Sequence, residues 1–162
     1  MDVKIIDNFL DIFDFRTATA KLNSQDESSP WYVHLSNGED TNAFLARWLN
    51  QDEFFTKNLF NQVKRHLDED YKLERVYCNA QWHGREGELH TDNCDVTALL
   101  FLHHYKYGWG GFTEILTDPP CVIQPIPNRL IIFPGMVEHK GYSFAYQHCP
   151  MRLSLAFKLN KQ

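Results

Sequence analysis

His90 and Asp92 stand two residues apart in "GELHTDN", residues 87–93, just ahead of a run of strand formers. Side chains at i and i+2 point the same way on extended chain, so an imidazole nitrogen and a carboxylate oxygen placed there can grip one cation. A second pair of this spacing, His66 and Asp68 in "HLD", falls in a helical pattern. In a helix, positions i and i+2 lie about 200° apart around the axis and cannot converge on one ion. Of the eight histidines, the candidate third ligand is His139, which follows the apolar run "NRLIIF" and a Pro-Gly turn. His148, in the turn-like "QHCP", is a rival that leaves little room for a strand to return before Arg152. His83 and His103 are further rivals; His103 adjoins His104, so one of these two must face the core and the other away. His90, Asp92 and His139 would form a facial triad whose opposite positions stay open, an arrangement suited to Fe(II), O2 and a chelating co-substrate.

Arg152 interrupts the otherwise apolar segment "CPMRLSLAFKL", thirteen residues beyond His139. A guanidinium facing the interior is costly unless an anion meets it. Ser154 lies two residues on, points the same way and can add a hydroxyl donor. Either Arg152 pairs with an internal carboxylate or faces solvent on an edge strand, or it clamps the distal carboxylate of a dicarboxylate ligand in bidentate fashion.

The elements that must carry these residues change character along the chain. The N-terminal part, to about residue 70, reads as helical. Phe9, Leu10, Ile12, Phe13, Phe15, Ala18 and Leu22 give one apolar face, and Phe55, Leu59, Val63 and Leu67 recur every four residues in "QDEFFTKNLFNQVKRHLDED". "SQDESSP" and "SNGED" are loop chemistry. From about residue 72 to 160, short runs such as "LERVYCNAQW", "VTALLFLHH", "GFTEIL", "NRLIIF" and "MRLSLAFKL" alternate with "GWGG", "TDPP", "QPIPN" and "FPG". The pattern predicts a mainly β, α+β chain: an antiparallel sandwich or jelly roll with flanking N-terminal helices, forming a single domain over 1–162.

Composition narrows the function classes. The net charge of −5 and the lack of a Lys/Arg cluster near the motifs argue against nucleic acid. Cys78, Cys94, Cys121 and Cys149 form no CxxC pair, which argues against a structural zinc knuckle. "MDVKIIDNFLDIF" has no charged-then-apolar leader, and no apolar run is long enough to span a bilayer. Free thiols in a reducing, cytoplasmic compartment are the expectation.

The ordered set of His90 and Asp92 in "HTDN", "VTALLFL", "WGG" at 109–111, "PNRLIIFPG", His139 and "RLSL" from Arg152 resembles the Fe(II)/2-oxoglutarate-dependent dioxygenases, nearest their prolyl-4-hydroxylase-like branch. The resemblance covers roughly residues 72–160. It implies a double-stranded β-helix and an Fe(II) bound by His90, Asp92 and His139. It also implies 2-oxoglutarate held by Arg152 and Ser154, O2 as oxidant, and ascorbate as reductant for the iron. The implied reaction hydroxylates a C–H bond of a small molecule, peptide or protein and releases succinate and CO2; a peptidyl proline is one candidate. Some prolyl hydroxylases carry a 2-oxoglutarate-binding tyrosine where this chain has Phe101, and Asn79 is the candidate polar replacement. The rim loops that would select the substrate are "HYKYGWGG" and "GREGE". Two alternatives share the fold: a cupin-like jelly roll that binds a metal or sugar without turnover, and a silent interaction domain.

Overall fold

The computed structural model describes residues 2–24, 27–35 and 43–162. Two antiparallel sheets make up most of it. In chain order the elements are β1 (Lys4–Ile6), α1 (Ile12–Asn23), β2 (Tyr32–Leu35), β3 (Ala43–Trp48), a π-helical segment (Phe54–Leu59) running into α2 (Phe60–Lys64), and β4 (Tyr71–Gln81). Then follow β5 (Val96–Phe101), β6 (Thr113–Ile115), β7 (Cys121–Ile123), β8 (Leu130–Pro134), β9 (His139–Gly141) and β10 (Arg152–Lys161). The major sheet has the order β1-β8-β5-β10-β4-β3-β2 and the minor sheet β7-β6-β9. This is the jelly roll that the strand pattern predicts, in the double-stranded β-helix form that the resemblance implies.

Alternation along the central strands sorts their side chains into two cores. Val76, Cys78, Ala98, Leu100, Ile132, Leu155 and Phe157 face the helical layer, where Ala18, Leu22, Phe55, Leu59 and Val63 meet them. Leu99, Phe101, Ile131, Phe133 and Ala156 face Ile115 and Ile123 of the minor sheet. Central strand β5 is buried at all six positions because it is covered on both faces.

The N-terminal part is less helical than its composition predicts. Asp11 caps α1 by accepting the Asp14 N–H at 2.9 Å, but β1, β2 and β3 are strands. β3 pairs with β4, Leu45 opposite Ala80, and this pairing outweighs local preference in "AFLARW". The helix expected to reach residue 70 stops at Lys64. The acids at Asp68, Glu69 and Asp70 would oppose the negative end of the helix dipole if it continued. The loop expected at "SNGED" and two residues of "SQDESSP" lie outside the described residues. His66 and Asp68 lie beyond the helix end, where the His66 carbonyl and the Asp68 carboxylate both accept from Lys4 Nζ.

Candidate metal centre

His90 and Asp92 do not sit in a regular strand. They lie on the extended approach to β5, pinned to the segment that leads into β9. His90 and His139 exchange backbone hydrogen bonds of 3.1 and 2.8 Å, and the Asp92 N–H donates to the Gly135 carbonyl at 2.7 Å. Gly135 permits this approach: a Cβ there would lie 2.3 Å from the Cys94 carbonyl oxygen. The bridge between His90 and His139 brings the third candidate ligand alongside the first two.

The side chains converge. His90 Nε2 lies 3.8 Å from Asp92 Oδ1, and His139 Nε2 lies 3.2 Å from Asp92 Oδ2. Each imidazole is oriented from behind, His90 Nδ1 at 2.7 Å from the Glu88 carbonyl oxygen and His139 Nδ1 at 2.8 Å from that of Val137. An Nδ1–H donated to a carbonyl leaves the Nε2 lone pair for a metal. Asp92 and His139 are buried, whereas His90 is half exposed, so the site opens on the His90 side. Burial pushes the His90 imidazole below its usual pKa, against the pull of the Glu88 carbonyl, which favours the neutral, ligating form. Burial works against the charge on Asp92, but hydrogen bonding to His139 and the field of Lys158 hold its carboxyl well below the usual range. These three residues are the one group among the described residues placed to hold a metal ion.

The triad opens into a cavity of about 400 Å3, whose lining includes Asn79, Gln81, Thr113, Arg152, Ser154 and Lys158. Arg152 is buried, and its hydrogen-bond partners among the described residues are all neutral. Its Nε donates to the Gly111 carbonyl at 2.7 Å, one Nη to Gln81 Oε1 at 2.8 Å and the other to Thr113 Oγ1 at 2.7 Å. Ser154 Oγ is at 3.4 Å, and the Phe101 ring lies under the guanidinium at 5.2 Å. Burial lowers the Arg152 pKa to about 10, which leaves it charged at neutral pH. Asn79 Oδ1 is buried in the same cavity without a hydrogen-bond partner. A buried cation with no carboxylate partner among the described residues, and an orphaned amide oxygen, beside a three-residue cluster able to hold an ion, fit a metal and an anionic chelator together.

The other histidines fall elsewhere. His103 is buried against Phe101 and Phe144, and His104 is exposed against Trp109. His83 Nδ1 meets the Phe144 carbonyl, and His148 stacks on Tyr146. A larger concavity of about 800 Å3 lies on the opposite face of the major sheet, against Leu45, Ala80 and Leu153; the triad does not border it. Sequence reasoning missed the residues that brace the site. Thr97 Oγ1 donates to Asp92 Oδ2 at 2.5 Å, and Lys158 Nζ also donates to that oxygen. Lys158 continues the two-residue period of Arg152, Ser154 and Ala156, and Gln81 that of Tyr77 and Asn79, so the signal was present in the spacing.

Comparison with models of protein families gives no match, and neither does comparison with curated proteins. Solved structures do match. A prolyl-4-hydroxylase from Pseudomonas putida superposes with a TM-score of 0.76 at 17% identity, over 99% of this chain and 92% of that one. A prolyl hydroxylase from Trichoplax adhaerens, solved with a hypoxia-inducible-factor peptide fragment, gives 0.71 at 18%, over 98% and 83%. HygX from Streptomyces hygroscopicus, solved with nickel and 2-oxoglutarate, gives 0.72 at 9%, over 99% and 83%. The fold is that of the 2-oxoglutarate/Fe(II) oxygenases. At these identities the likeness establishes the oxygenase fold, and the chemistry rests on this chain's own residues.

Proposed function

We propose that this chain is an Fe(II)- and 2-oxoglutarate-dependent oxygenase that hydroxylates a C–H bond of its substrate. One observation carries the reading: a His-Asp-His cluster and a buried guanidinium whose partners among the described residues are neutral share one cavity. His90, Asp92 and His139 hold the metal through His Nε2 atoms and an Asp92 oxygen. Asp92 Oδ2 is engaged by Thr97 and Lys158, so Oδ1 is the freer ligand. Arg152 and Ser154 receive the distal carboxylate of 2-oxoglutarate, and Asn79 adds a polar contact. Bound Fe(II) and 2-oxoglutarate supply the oxidising chemistry, in which 2-oxoglutarate, O2 and R–H become succinate, CO2 and R–OH.

The protein's own contribution is orientation and exclusion of water. The Phe101 ring lies beneath the Arg152 guanidinium, and Leu99 lines the cavity wall. The peptide held by the Trichoplax adhaerens enzyme keeps a peptidyl proline among the candidate substrates. The test is an anaerobic titration with Fe(II) and then 2-oxoglutarate, followed by O2 and detection of succinate, with and without ascorbate. Stoichiometric binding of both and slow succinate release support the reading. Metal binding with neither 2-oxoglutarate binding nor succinate favours the cupin-like alternative.

A further inference from the structure

Lys158 is a second buried cation in the cavity, on the same face of β10 as Arg152, Ser154 and Ala156. It lies six positions along the strand from Arg152, about 20 Å along the backbone, and the two side chains serve different parts of the site. Arg152 sits among Gly111, Gln81 and Thr113. Lys158 sits at the metal end: its ammonium contacts Asp92 Oδ2, lies 3.2 Å from Thr97 Oγ1, and is 5.8 Å from the centre of the Tyr77 ring.

Asp92 is the carboxylate that pairs with Lys158, and the same carboxylate is the anionic metal ligand. The remaining charged groups on the cavity are already engaged: Arg75 pairs with Glu74 at 2.9 Å, and Glu88 has a partner of its own. A dication placed on Asp92 therefore faces a buried ammonium across one shared carboxylate. The two charges of 2-oxoglutarate do not neutralise the dication, Arg152 and Lys158 together, even with Asp92 counted. Counted over these groups, one positive charge is left over beside the metal, on a lysine that is almost wholly buried. Around it stand the hydroxyls of Thr97 and Tyr77, and Phe44, Trp48 and Leu99 furnish apolar wall.

Building on the oxygenase reading, we propose that Lys158 is the receptor for a carboxylate of the primary substrate, which is a small organic acid with an apolar body. The ammonium holds the acid at the metal end, where its C–H bonds lie within reach of the oxidant. Arg152 is left to the co-substrate.

The test uses the protein loaded anaerobically with Fe(II) and 2-oxoglutarate, whose visible absorption reports changes around the metal. Two acid and amide pairs are titrated: 3-phenylpropionate with 3-phenylpropionamide, and N-acetylproline with its primary amide. Each pair differs in the charged group alone. At least one acid is expected to bind tenfold or more tightly than its amide. Lys158→Met should erase that preference while 2-oxoglutarate still binds, and Lys158→Arg should keep most of it. The wild-type comparison stands even if a variant fails to fold. Acids that bind no better than amides, in a protein that takes up Fe(II) and 2-oxoglutarate normally, overturn this proposal and leave the oxygenase reading intact. A Lys158→Met protein that loses 2-oxoglutarate instead assigns the lysine to the co-substrate and also overturns it. Failure of the wild type to bind Fe(II) and 2-oxoglutarate removes both readings.

Discussion

Arg152 donates to Gln81 Oε1 at 2.8 Å, and no carboxylate among the described residues pairs with its guanidinium. An arginine kept for folding would be expected to have an acidic partner, because a buried unpaired charge is destabilising. Arg152→Lys keeps the charge and loses the two-pronged fork. The affinity for 2-oxoglutarate is expected to fall about ten- to a hundredfold, roughly 1.5–3 kcal/mol, with metal binding retained; calorimetric titration measures both. Ser154→Ala should give a smaller loss in the same direction. An Arg152→Lys protein that unfolds yet keeps its 2-oxoglutarate affinity in the folded fraction would make Arg152 a structural residue.

The triad and Lys158 predict a split between metal affinity and stability. His90→Ala, Asp92→Ala and His139→Ala should each abolish binding of one Fe(II), or of Mn(II) as an inert substitute, and His66→Ala should leave it unchanged. Asp92→Ala additionally strands the buried Lys158 ammonium, a loss of about 3–5 kcal/mol. His90 is half exposed, so His90→Ala should cost about 1 kcal/mol or less. Denaturant unfolding of the metal-free proteins checks the difference. Equal stability of the two variants contradicts the ion pair.

Gly111 links the rim to the Arg152 end of the cavity. It has φ of +74°, and a Cβ there would lie 2.5 Å from the Phe144 ring, while its carbonyl accepts from Arg152 Nε. Gly111→Ala should destabilise the protein by about 1–3 kcal/mol. It should also weaken 2-oxoglutarate binding, because the carbonyl shifts with the ring. A thermal melt and a 2-oxoglutarate titration on the same sample test this; a melt unchanged from wild type would count against the close contact.

His103 gives a pH signature away from the metal. Burial, opposed by a hydrogen bond with the Leu153 backbone, lowers its pKa from 6.5 to about 4, and the Arg152 charge adds to the lowering. The folded value lies below the unfolded one, so the stability from keeping His103 neutral is present above about pH 6.5. It is lost as the pH falls from there through about 4, and amounts to about 3 kcal/mol over that window. Wild type should lose about this much more than His103→Gln between pH 7 and 4, measured by urea denaturation. Parallel pH profiles would remove the assignment.

The residues that come together in the candidate site were legible in the sequence because their signals are local. The two-residue spacing of His90 and Asp92, the apolar run before His139 and the charge in "MRLSLAFKL" are each visible within a few positions, and so are the strands that carry His139 and Arg152. The N-terminal strands were not legible. "AFLARW" becomes β3 because β4 offers a free edge to pair with, and "YVHL" becomes β2 by pairing with β3 in turn; for β3, a pairing partner about thirty residues away leaves no trace in local periodicity. Tertiary structure alone decided that His139 stands beside His90, through a backbone bridge rather than a sheet. It also decided that Arg152 would be buried among neutral groups and that Lys158 would reach Asp92. A strand period tells which face a side chain takes. Only the packing of one sheet over the other tells which charges meet there, because Coulombic and desolvation energies depend on distance and burial, and neither is a property of the chain taken in order.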